Sequence, residues 1–290
     1  PTDYKTFHDF VKEYMKTYSR RIEMGTFKHH VSCMKKFKEY NELLQFQDLT
    51  KDYLSDYLNY MKKKLGNSEA TAQMNMSTVK IYVTAAFRKG YVDVNPFNEF
   101  HIRRIKSDVD YLSEEELMQF LRLYYQRVLP DKLQNTLAFF LFMCFTSLHI
   151  TDARMFTIEQ VSNNILTYYR IKNRNSKPEP IKKPMSEPVK NLLNELNGGK
   201  DQGRVFTHIQ CDQVVNRQLK EIAKSLEINK KISAKTGRHT FATIFLRKTK
   251  DIATLQKLLG HTNIQETMIY AHVMEESKLE GVQCFNSFII

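Results

Sequence analysis

A chain of 290 residues, 42% of them hydrophobic, is long enough for two domains that each bury a core. Its 44 Lys+Arg against 32 Asp+Glu give a formal net charge of +12 on a chain too apolar to be a polybasic tail, which points to a polyanionic partner. No run approaches the ~18 to 20 uncharged apolar residues of a membrane span, Leu137 to Leu148 being the best, and no basic-then-apolar leader opens the chain, so a soluble, cytoplasmic protein is expected rather than a membrane one.

The basic excess is shared along the chain: 19 basic and 14 acidic residues lie up to position 110, and 25 and 18 lie beyond it. Cys33, Cys144, Cys211 and Cys284 are far apart, form no CxxC pair, and read as buried free thiols in a reducing compartment. A first residue of Pro1 suggests that a preceding domain is missing.

Phe7, Phe10, Val11, Tyr14, Met15 and Tyr18 recur at helical spacing, and Phe27, Val31, Met34 and Phe37 repeat the pattern, predicting two amphipathic helices. A third helix is predicted after Thr50, with Tyr53, Leu54, Tyr57, Leu58 and Met61 inward. A fourth runs from Ser68 to Lys89 and is closed by Gly90. The segment from Asn95 to Asp110, with Pro96 and the cluster Arg103, Arg104 and Lys106, reads either as a linker lying along a phosphate backbone or as a plain solvated one.

Ser113 with Glu116 three residues on is a capping box that opens a second domain, and its helix leads to the apolar core helix Leu133 to Leu148. Ile165 to Ile171 is predicted as a strand, with a hairpin or small sheet completed from Ile181. Ser186 then caps a helix ended by Gly198 and Gly199, and helices continue to the C-terminus. The expected fold is mainly α in two domains. Residues 1–106 form a four-helix domain, 107–112 a linker, and 113–290 a mostly α domain with a small antiparallel β-sheet.

Residues 235–243, KTGRHTFAT, followed by LLGH at 258–261 and by Tyr270 nine residues later, closely resemble the C-terminal active-site block of the tyrosine recombinases, the phage-integrase family. More loosely, the first domain resembles that family's core-binding, SAM-like DNA-binding domain, and residues 111–290 its catalytic domain. The resemblance implies a site-specific recombinase of a bacterial mobile element that cleaves and rejoins double-stranded DNA through a 3′-phosphotyrosine. Four subunits would act on two DNA sites, with accessory DNA-bending proteins possible, in the nucleoid-associated cytoplasm.

Because the phosphodiester energy is conserved in the tyrosine ester, no cofactor is expected, and the chain has no GxxxxGK[ST] loop. Tyr270 is the implied nucleophile, Arg238 the guanidinium that clamps the transition-state phosphate, and His261 a donor to a phosphate oxygen. Lys172 is the implied general acid on the hairpin, with Lys177 its rival and an ordinary solvated lysine the alternative. The apolar tail of Cys284, Phe285, Phe288, Ile289 and Ile290 would dock on a neighbouring protomer or pack on its own domain.

Two positions depart from the family pattern. Where the family has a segment like TGLRISD, this chain reads TSLHITD, placing His149 where the first catalytic arginine belongs. The histidine of the family's HxxR is replaced by Lys235, a point charge without a ring acceptor. Substitutes for the missing guanidinium are His149 itself, Arg170, expected on the same strand face as Lys172, and Arg154, for which a surface role fits better. These departures keep open a catalytically degenerate DNA-binding relative, and the shared nucleophile chemistry keeps open a type IB topoisomerase.

Overall fold

The computed structural model describes residues 4–103, 105, 109–171, 179–200 and 202–271. The chain divides into two compact units, Pro1–Asp108 and Val109–Ile290.

The first unit is built on four helices: α1 (Phe7–Tyr18), α2 (Met24–Tyr40), α3 (Lys51–Lys63) and α4 (Glu69–Arg88). Local chemistry sets their starts. The side chains of Thr6, Thr50 and Ser68 accept from the backbone N–H three residues on, and Thr6 and Asp9 form a reciprocal capping box. Aromatic rings fill the core, with Phe7, Phe10, Phe37, Tyr57 and Tyr82 fully buried.

The inner face of α2 is turned from the predicted one. Val31 is exposed and Phe27 half-buried, whereas His30 and Cys33 are inside, because each finds a polar partner on α4. His30 Nδ1 pairs with the Tyr82 hydroxyl at 2.9 Å, and the Cys33 thiol donates to Asn75 Oδ1 at 3.0 Å. Cys144 is also a buried free thiol, but Cys211 is exposed at the start of a helix, and Cys284 lies outside the described residues. The first part of the predicted linker is no linker: Phe97 and Phe100 are buried in this core and Ile102 packs on it. Arg104 and Lys106 lie outside the described residues.

The second unit opens with α5 (Glu114–Gln126), started by the predicted Ser113–Glu116 capping box. Leu112, placed in the linker by the sequence, is fully buried in this unit, and its N–H donates to Thr240 Oγ1 at 2.9 Å. There follow α6 (Asp131–Thr146), the short α7 (Ile150–Arg154), and an antiparallel sheet of β1 (Val161–Ser162), β2 (Ile165–Tyr168) and β3 (Ile181–Pro184) in that order. Helices α8 (Glu187–Asn197), α9 (Asp212–Ser225), α10 (Ala234–Thr249) and α11 (Ile252–Leu259) complete it. The two-residue β1 carries no periodicity and was not foreseen, and β2 ends at Tyr168, short of the predicted Ile171.

Helix α6 is the axis of this unit. Leu137 through Cys144 are all essentially buried, so no polar face remains, and α5, α8, α9 and α10 all pack on it. Gly237 seats α10 tightly on it: an added Cβ would stand 3.1 Å from Met143 Cβ and 3.3 Å from the Cys144 backbone nitrogen. A smaller core joins Ala242, Leu246, Leu255, Leu259 and Tyr270.

Because backbone cannot yield as a side-chain tip can, Gly237→Ala is expected to lose more through overpacking than it gains in helix propensity, a net cost of ~1 to 3 kcal/mol. Urea unfolding followed by circular dichroism measures it, and an unchanged or raised midpoint would show that α10 can move away from α6.

Candidate active site

The KTGRHTFAT run lies on α10, whose N-terminus is fixed by a capping box between Ser233 and Thr236. Arg238, in the second turn, is 7% exposed. Its Nη1 donates to the Ser147 carbonyl at 2.8 Å, and its Nη2 donates to the Leu259 carbonyl at 2.6 Å and to His261 Nε2 at 2.9 Å. Ser147 caps the C-terminus of α6 and Leu259 ends α11, so the guanidinium sits at the negative ends of two helices. Burial lowers its pKa, but a guanidinium remains a cation at any ordinary pH.

His261 follows Gly260, which leaves α11 with φ +62°. Its Nδ1 pairs with Thr267 Oγ1 at 2.9 Å. Burial first, then Arg238, Arg170 and Lys183, pull its pKa down to about 3, so the ring is neutral. Since Nε2 accepts from Arg238, the ring proton is on Nδ1 and donates to Thr267. The sequence led us to expect a donor to phosphate; here Nε2 is an acceptor, and it donates only after taking up a proton.

Tyr270 is 1% exposed, and its hydroxyl pairs with His239 Nδ1 at 2.7 Å. Burial raises the tyrosine pKa to about 12 and lowers that of His239 to about 3, the latter helped by Lys235 and Arg238. Both groups are therefore neutral near pH 7, and the tautomer protonated on Nε2 accepts the phenolic proton at Nδ1. The sequence reading missed His239. Its signal was the RH dipeptide, but nothing in one sequence says that the ring turns toward a tyrosine 31 positions away.

A second group of charges adjoins Arg238. Arg170, beyond the end of β2 rather than on the strand, donates from Nη1 to the Gly260 carbonyl at 3.1 Å, and its Nε is buried with no hydrogen-bond partner among the described residues. Arg170 was a candidate from the sequence, whereas Lys183 on β3, like His239, was not foreseen. It is 4% exposed, and its Nζ donates to the Thr146 carbonyl and to Ser147 Oγ, both at 2.7 Å. Burial first, then Arg238 and Arg170, push its pKa well down, and Asp152 opposes them.

Other expected residues are placed differently. Lys235 is exposed in the first turn of α10, where the helix dipole disfavours a cation. His149 is exposed at the N-cap of α7. Arg154 points away to α9, donating to the carbonyls of Ile209 and Gln210 and to Asp212 at 2.7 Å, a structural tie. Lys172, Lys177 and the C-terminal tail lie outside the described residues.

Residues 6–102 match the phage integrase SAM-like domain, and residues 110–277, more than half of the chain, match the phage integrase family. A tyrosine recombinase of Thermosipho africanus is 25% identical over 91% of this chain and 94% of its own length, and the tyrosine recombinase XerD of Staphylococcus haemolyticus is 23% identical over 96% and 97%. Among solved structures, the Tn1549 transposon integrase bound to circular-intermediate DNA superposes with a TM-score of 0.75 at 18% identity, over 92% of this chain and 95% of that one. A lambda integrase dimer on a COC′ core site gives a TM-score of 0.74 at 17% identity, over 91% and 77%. The chain belongs to the phage integrase family and is a tyrosine-type site-specific recombinase.

Proposed function

We propose that Tyr270 attacks a phosphodiester of double-stranded DNA held by Arg238, His261 and Arg170, and that the chain recombines DNA sites of a bacterial mobile element as a homo-tetramer in the cytoplasm. The observation that carries the reading is the pre-set guanidinium of Arg238. The contacts to Ser147, Leu259 and His261 take three of its five N–H groups and fix its plane, leaving donors for a phosphate.

In the attack, the Tyr270 oxygen bonds to phosphorus as the bond from phosphorus to the 5′ oxygen breaks. The phenolic proton passes to His239 Nδ1, which already pairs with that hydroxyl. The leaving 5′ oxygen takes a proton from Lys172, with Lys177 the rival. Lys235, one turn before His239, adds positive charge at the start of α10. With its hydroxyl buried against His239, Tyr270 meets a phosphate only once that pair is opened to the DNA, so the DNA-free enzyme is held inactive.

The replacement of the family's arginine by His149 favours one other reading, a relative that binds DNA without cutting it. Tyr270→Phe separates the two. On a suicide substrate cut from the ends of the encoding element, covalent adduct is expected from the wild type and none from the variant, with DNA affinity nearly unchanged. A wild type that forms no adduct would support the binding-only reading.

Arg170→Ala is expected to slow cleavage by roughly 10² to 10³ with little change in affinity, the usual cost of removing one transition-state donor. Single-turnover adduct formation measures it, and an unchanged rate would remove Arg170 from the clamp. Affinity for the same duplex should fall steeply with salt, by about 0.9 in log K per log salt for each phosphate neutralised. A flat titration would contradict a backbone-tracking mode.

A further inference from the structure

The departure at His149 and the buried Lys183 belong to one arrangement. Helix α6 ends at Ser147 with φ 56°, the left-handed region. The family segment TGLRISD has glycine at this place, which takes that conformation freely, whereas a serine does not. What serine adds is a hydroxyl, and that hydroxyl accepts from Lys183 at 2.7 Å while the carbonyl of the same residue accepts from Arg238 at 2.8 Å. One residue thus anchors two cations, two positions before the missing arginine.

Lys183 lies opposite Leu166 in the sheet, at the one buried position of β3. A buried ammonium is costly unless a negative charge answers it, and an apolar side chain of similar length would serve stability at least as well. The acceptors of Lys183 are a neutral carbonyl and a hydroxyl. The charged groups around it are Arg238 from α10 and Arg170 from beyond β2, both repulsive, and Asp152 from α7, the attractive one. Asp152 also accepts the Ile171 N–H at 3.0 Å. His261, past α11, is neutral and senses the same three cations. One carboxylate among two guanidiniums and an ammonium leaves the cluster short of negative charge, as a phosphate site should be.

We propose that Lys183 replaces the arginine absent at position 149: tethered through Thr146 and Ser147 beside Arg238, its amine is the second cationic group turned to the scissile phosphate, whose negative charge favours the ammonium form. Two of its N–H groups hold the tether, and the Nζ also lies 5.2 Å from the centroid of the Tyr168 ring. This role rests on the reading of Tyr270 and Arg238 above, and it makes Ser147 a positioning residue.

The test is single-turnover adduct formation on the suicide duplex, with DNA affinity and urea stability measured beside it. Lys183→Met is expected to slow the adduct by roughly 10² to 10³ at unchanged affinity. Adding His149→Arg to Lys183→Met should recover at least about tenfold, and more than the same change gains in the wild type, since the two cations serve one task. Ser147→Gly relieves the backbone and removes the side-chain half of the tether, leaving the Thr146 carbonyl, so it should slow the adduct while leaving the fold as stable or more so, and His149→Arg should rescue it too. If Lys183→Met does not fold, the Ser147→Gly pair decides by itself. A wild-type rate in Ser147→Gly, or a gain from His149→Arg that is the same with and without Lys183, overturns the proposal. A wild-type chain that forms no Tyr270-dependent adduct overturns instead the reading on which it rests.

Discussion

Arg238 is held inside the second unit by carbonyl oxygens that two helices leave unpaired where they end. A buried guanidinium without such partners would be strongly destabilising, so the ends of α6 and α11 must fall where they do. Helix α6 stops in the left-handed turn at Ser147, and α11 stops in the one at Gly260, where a Cβ would come within 2.1 Å of Ile181 Cδ1. The close seat of Gly237 on α6 then brings Arg238 to the first carbonyl. Phosphoryl transfer needs a fixed charge for the phosphate, and helix packing is what fixes it.

Around that guanidinium the protein keeps proton acceptors neutral. His239 and His261 would each be a further cation if protonated, and burial beside Arg238 prevents it. The result is a division of labour set by environment rather than residue type. The arginines are charged in every state, whereas the histidines are free to accept a proton. His239 faces the tyrosine and His261 faces the clamp.

What the sequence made legible was what local chemistry decides. The caps at Thr50, Ser68 and Ser113 satisfy their own backbone N–H groups, and the unbroken apolar run of α6 admits only a buried helix. Arg238 and His261 were singled out by their ordered spacing, and in the structure they meet at 2.9 Å. What was lost depended on partners distant in the chain. His30 is inside in place of Val31 because Tyr82, 52 residues on, offers a hydroxyl. Lys183 sits in the run IKKP, where either lysine could face inward until the register with β2 is known, and its acceptors are 36 and 37 residues away. The true extent of the linker was hidden for the same reason, since Phe97 and Leu112 are claimed by cores on either side of it.

The same burial ties the site to proton uptake. The folded pKa of His239 and of His261 is about 3, below the ordinary 6.5. Both rings therefore contribute stability that is whole above about pH 6.5 and is lost as pH falls toward 3, because over that window the unfolded chain binds protons that the folded one refuses. A phosphate dianion or the diester of DNA placed among Arg238, Arg170 and Lys183 weakens the positive field that opposes protonation of His261. Protonation of His261 is then opposed less, and a proton on Nε2 would turn it from acceptor for Arg238 into the donor toward phosphate proposed above. On the proposed role of His261, the neutral histidine of the DNA-free enzyme and the donor to phosphate are one residue in two fields, and the substrate shifts the balance between them.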